Sequence, residues 1–164
     1  MKYCLILLFI TSCFACSSDK TPTIKEFFPS VGYLPSELNE LSGLLCKNDK
    51  SLIGHNDSGS EPILYEFNID EQILKRQVVI TNINAIDWED ITEDDSFIYV
   101  GDFGNNLGTR ENLMIYKIAK NDFNSSDSIE AQIIYFNYPE QSDFTPSNDH
   151  NFDCEAIILS LIHI

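Results

Sequence analysis

Positive charge is scarce in this chain of 164 residues: ten Lys and Arg stand against 26 Asp and Glu, a formal net charge of −16. Nucleic acids and anionic membrane surfaces need a basic face, so they are excluded as partners. Long apolar runs are also missing. The longest at the amino terminus, Tyr3 to Ile10, is too short to cross a bilayer as a helix. No Cys and His spacing fits a zinc site. The segment Asp102-Phe103-Gly104-Asn105-Asn106 lacks the later acid of an EF-hand, and no helix follows GDFGNNLG to make a dinucleotide fold. Ser42-Gly43 and Ser58-Gly59 are not nucleophile elbows, and Asp102-Phe103-Gly104 stands without any other kinase element. Long stretches of helix formers are few.

What is present is strand chemistry. Aromatics make up 12% of the chain, mostly Phe and Tyr, and turn-forming Asn, Asp and Ser are abundant. The opening MKYCLILLFITSCFACSSDK has a Lys followed by an apolar run and small residues, the layout of a secretory signal. Ile10-Thr11-Ser12-Cys13 resembles a bacterial lipobox, so Cys13 is expected to carry a lipid, with Cys16 the second choice. A plain cleaved signal is the alternative. SCFACSSD resembles the start of a Bacteroidetes-type surface lipoprotein. The expected organisation is a signal over 1–16, then a tether and latch strand over 17–37. Strands follow over 38–158. Leu159 to Ile164 match the translation of a common transposon-based sequencing adaptor, so the natural protein is expected to continue past Ile158. A genuine short apolar strand is the other reading of that end. Of the remaining cysteines, Cys46 and Cys154 lie in apolar strand-like runs and are expected to be free and buried rather than paired.

An internal repeat organises the middle of the chain. Leu52-Ile53-Gly54 and Tyr99-Val100-Gly101 stand 47 residues apart, as do Leu44 and Ile91. A polar corner follows each glycine: His55-Asn56-Asp57-Ser58-Gly59, then Asp102-Phe103-Gly104-Asn105-Asn106. Strands are expected next at 63–67 and 113–118, then at 77–80 and 131–136. Asp153-Cys154-Glu155-Ala156-Ile157 restates Asp87-Trp88-Glu89-Asp90-Ile91. Four short strands per unit of about 47 residues predict an all-β fold. The expected architecture is a β-propeller fragment of two four-stranded blades plus the first strand of a third.

The repeat sorts the acids. Asp94-Asp95 is a hairpin turn, because Lys47-Asn48-Asp49-Lys50 fills the same place one unit earlier. Asp87, Glu89 and Asp90 open an inner strand, and Asp153 and Glu155 recur there. With Asp57 and Asp102 they are the candidate ligands for a hard cation such as Ca²⁺, which takes oxygen donors. His55, Glu89 and Glu155 are candidate proton-transfer groups. Against these stands ordinary turn and capping chemistry for the same residue types. Trp88 is expected in the core between blades, and Arg110 is expected to pair with one of the acids. ELSGL, GHNDSG, DWEDI, GDFGNN with Arg110, and DCEAI together resemble a group of secreted bacterial β-propellers, similar to the SdiA-regulated, NHL-like and phytase-like-esterase types. The resemblance spans about 38–158. It implies a propeller but no agreed activity. Three roles follow as expectations: a surface or periplasmic binding module, a Ca²⁺-dependent hydrolase of esters, lactones or phosphates, and an adhesive part of a longer secreted protein. Resequencing the gene across the codon for Ile158 is expected to show a frame that runs on with further units of this kind; a stop directly after LSLIHI would remove the adaptor reading.

Overall fold

The computed structural model describes residues 32–160. The expected signal, the candidate lipidation sites Cys13 and Cys16, most of the expected tether and all but the first two residues of the expected adaptor stretch lie outside them. The all-β expectation holds. Strands β1 (Leu41–Asn48), β2 (Ser51–Asn56), β3 (Ile63–Asn68) and β4 (Ile73–Ile80) form an antiparallel meander. A second meander follows in β5 (Trp88–Glu93), β6 (Phe97–Asp102), β7 (Leu113–Ala119) and β9 (Gln132–Phe136). Neither sheet closes on itself.

Two features depart from the sequence reading. A short helix α1 (Lys120–Ser125) follows β7, and Phe123 on it is buried between Lys47 and Arg76, each 5.4 Å from the ring centre. Next, β8 (Ser128–Ile129) leaves the second meander and joins the first sheet, pairing in parallel with the outer strand β4. Ile129 is buried in the shared core, so the excursion strengthens the junction between sheets. The expected latch strand is, in its described part, a 3-10 turn at Ser36–Leu38. Leu38 there packs with Tyr65 and Phe67 on the far face of the first sheet.

The sheets meet over one core. Ile53, Leu64, Val78 and Ile80 come from the first, and Trp88, Ile98, Val100, Tyr116 and Ile118 from the second. Alternation puts these side chains on facing surfaces, as a period of two requires. The hairpin turns use one device twice. Asn48 Oδ1 accepts from the backbone N–H of Lys50 and Ser51, and Asp94 Oδ1 accepts from those of Ser96 and Phe97. Such Asx turns replace the ladder bonds that the chain loses on reversing. Asp94–Asp95 is therefore turn chemistry, as expected.

Residues 153–157 form no strand, because no ladder partner flanks them among the described residues. The cysteine expectation needs correction as well. Cys46 and Cys154 are free, but Cys46 is exposed and Cys154 half-buried. Cys46 lies on β1 with its neighbours Leu45 and Lys47 turned the other way, and pairs in register with Leu52 on the face away from the shared core. Trp88 is 1% exposed at the centre of that core. Trp88→Ala is expected to cost about 3–5 kcal/mol of unfolding free energy. Urea denaturation would check this, and a loss within the range of surface substitutions would place Trp88 outside the cooperative core.

Candidate metal centre

The corners of the two units are built alike. Asp57 N–H donates to Glu40 O at 2.9 Å, and 47 residues later Gly104 N–H donates to Asp87 O at 3.2 Å. In each inner strand the register slips by one residue, at Ser42 in β1 and at Glu89 in β5. Such a bulge turns its extra residue out of the ladder. The two bulges touch: Ser42 Oγ donates to Glu89 O at 2.7 Å. Ser42 thus ties one inner strand to the next. The 47-residue spacing was its signal in the sequence.

Three carboxylates meet here. Asp57 follows β2, Asp87 precedes β5 and Glu89 sits on the bulge; one oxygen from each lies within 4.8 Å of the others. Oxygens on one Ca²⁺ at about 2.3–2.6 Å from the ion stand up to about 5 Å apart, so the donor set fits a hard cation. Gly104 makes the room. A Cβ there would collide with Glu89 Oε1 and the Asp87 carboxylate. In the repeat, Gly104 stands where the earlier unit has Asp57, so the next boundary along the chain lacks that third acid.

Burial and neighbouring charge raise the proton affinity of Asp87 and Glu89. Burial, then Asp57 and its neighbours, hold the Asp87 carboxyl above its usual range, against the pull of Arg110. Glu89 is pushed up to about 8, first by desolvation, then by the charges of Glu155 and Asp87 and a hydrogen bond shared with Glu155. Glu155 itself is exposed.

The other candidates serve the scaffold. Asp102 is fully buried and both its oxygens are taken. Oδ1 accepts from Asp87 N at 3.1 Å and Arg110 Nη2 at 2.7 Å; Oδ2 accepts from Ile86 N at 3.1 Å and the Tyr116 hydroxyl at 2.8 Å. It is not a ligand, because no lone pair remains turned to solvent. Arg110 also donates to Gly104 O and Asp102 O, so its expected pairing with an acid is present. Asp90 accepts from Ile91 N and Ile157 N, and Asp153 accepts from Asn105 N at 2.6 Å. These bonds seat the 153–157 segment beside β5.

His55 is corrected too. It is fully buried, its Nδ1 paired with Asn56 O and its ring edge-on to Trp88 at 5.3 Å. A substrate proton cannot reach it, and burial holds its pKa below the usual value. The sequence pattern put His55 at the right corner but could not show that its side chain points between the sheets.

Comparison with protein-family models, with curated proteins and with solved structures finds no match to this chain.

The shifts fix a pH dependence. Glu89 holds a proton in the folded state that the unfolded chain releases above the ordinary glutamate value of 4.5. Its contribution to stability is full below that pH and is lost as pH rises toward about 8. His55 acts in the opposite sense, favouring the fold above the ordinary histidine value of 6.5 and losing that contribution as pH falls. The Tm is therefore expected to drop on the alkaline side less steeply in Glu89→Gln than in the parent, measured by calorimetry between about pH 5 and pH 9. Parallel curves would show that Glu89 ionises freely.

Proposed function

We propose that this chain forms blades of an exported, lipid-anchored β-propeller that acts as a surface or periplasmic binding module. Its ligand seat lies at the corner shared by the first two units and takes a divalent cation such as Ca²⁺. The supporting observation is the meeting of Asp57 with Asp87 and Glu89, one from the first unit and two from the second. Two four-stranded meanders in matching register support the propeller reading, with equivalent corner bonds 47 residues apart. The acidic chain, the signal-like amino terminus and the resemblance to secreted propellers point the same way.

A second reading, a Ca²⁺-dependent hydrolase, draws on one further observation. Glu89 keeps its proton up to about 8, so it can give or take a proton near neutral pH. In that reading Asp57 and Asp87 hold the cation, and Glu89 with Glu155 moves the proton. A bound cation supplies Lewis acidity toward an ester, lactone or phosphate oxygen.

Calcium titration with and without model ester, lactone and phosphate substrates separates these readings. The binding module is expected to gain about 2.7 kcal/mol of stability at a hundredfold excess of Ca²⁺ over Kd, without turnover. Asp57→Asn and Glu89→Gln are expected to remove most of that gain. Turnover that disappears in Glu89→Gln would favour the hydrolase. If Ca²⁺ and chelator leave the melting curve unchanged, the cation seat is wrong in both forms.

A further inference from the structure

The two sheets end differently at their outer rims. In the first, β4 is covered: Val79 N–H donates to Asp127 O at 2.9 Å, Thr81 N–H donates to Ile129 O at 2.8 Å, and Arg76 pairs with Asp127 at 2.7 Å. In the second, β9 is the last strand, bonded on one side to β7. The Asn82 side chain caps Ala131 just before it, bonded to both its N–H and its C=O, and among the described residues no backbone hydrogen bond meets the outer edge of 132–136.

An open strand edge presents alternate N–H and C=O groups as a template for another strand. Folded proteins usually block such an edge with a lysine, a proline, a bulge or an inward charge. The β9 sequence Gln132-Ile133-Ile134-Tyr135-Phe136 has none of these. Instead it exposes Ile134 at 44% and Tyr135 at 68%. The position is not short of alternatives, since the chain carries 26 acidic residues and places none within this strand.

We infer that β9 is a self-association edge, joining a second copy of this chain through an antiparallel β9–β9 pair about a two-fold axis. The sequence is complementary to itself in that arrangement. With the axis at Ile134, Ile134 faces the partner's Ile134, Gln132 faces the partner's Phe136, and Ile133 faces the partner's Tyr135. Aliphatic–aliphatic and aliphatic–aromatic cross-strand pairs stabilise a sheet, and no like charges come opposite each other. The contact is isologous, so it closes at a dimer instead of running on as a fibre. Four strands from each copy then form one continuous sheet. None of Asp57, Asp87 and Glu89 lies on β9, so they are not part of the paired strands.

Charge sets the conditions. Each copy carries a formal −16, so long-range repulsion opposes the pair. Salt screens that repulsion over a Debye length of about 10 Å at 0.1 M, while the ladder and the apolar pairs are not weakened by it. The pair is small beside a standard interface, so it forms reversibly and depends on concentration.

Sedimentation equilibrium of the full chain over a concentration series is the test. The expected result is a mass that rises from monomer to dimer, at lower concentration as salt is added. Ile134→Lys sets two like charges opposite each other at the axis and is expected to weaken association at least about tenfold. Circular dichroism and the Tm would verify that this variant is folded. In a second arm, Ile134→Cys in a chain whose five native cysteines are replaced by Ser is expected, under a mild added oxidant, to give a disulfide between the two copies of residue 134, mapped by mass spectrometry. A chain that stays monomeric at every concentration and salt overturns the inference. So does a dimer that Ile134→Lys leaves unchanged, or one in which the residue-134 cysteines do not cross-link.

Discussion

The Asp102 carboxylate is the interaction on which the second sheet and the acidic corner both depend. It is fully buried at the end of β6, and four donors from three parts of the chain converge on it. Ile86 and Asp87 give backbone N–H groups, so the entry into β5 is fixed against the exit of β6. Tyr116 reaches it from β7, and Arg110 closes the loop between β6 and β7. A charge this deep is tolerated only when it is paired and its lone pairs are filled. Removing one partner of such a pair costs about 3–5 kcal/mol, which is large beside the stability of a small domain.

That anchor explains how like charges are held together next door. Asp87, Glu89 and Asp57 gain nothing from one another; burial first, and neighbouring carboxylates next, raise the proton affinity of Asp87 and Glu89. The fold imposes the arrangement through bonds made by neighbouring groups. Asp102 holds Asp87 by its backbone, Ser42 holds Glu89 by its carbonyl, and Gly104 leaves space where a side chain would collide. A scaffold that spends stability to gather carboxylates has the form of a functional site. It is also what a repeat produces when one position is Asp in one unit and Gly in the next.

Much of this was legible because the repeat was. Matching apolar triplets and polar corners 47 residues apart located the first two strands of each unit, and the alternating runs after them located the other two, with β4 expected only over its second half, 77–80. The Asx turn at Asp94 followed from comparing it with Asn48. Less legible were events off the repeat. Nothing in Lys120–Ile129 announces that Phe123 will sit between Lys47 and Arg76, or that a two-residue strand will cross to the first sheet. Both depend on contacts with β1 and β4, far away along the chain, that exist only once the sheets have formed.

The sequence by itself determined the all-β class, the two meanders and their turns, the strong negative charge, and the set of acids from which a site can be drawn. These follow from local periodicity and turn chemistry, which act between residues close along the chain. Only the tertiary structure decided which acids are free and which are spent. Asp102 and Asp57 look alike in the sequence, but one is buried under four donors and the other meets two carboxylates from the next unit. That choice rests on which groups long-range packing brings within hydrogen-bonding distance, and a one-residue bulge at Ser42 and at Glu89 is enough to change it.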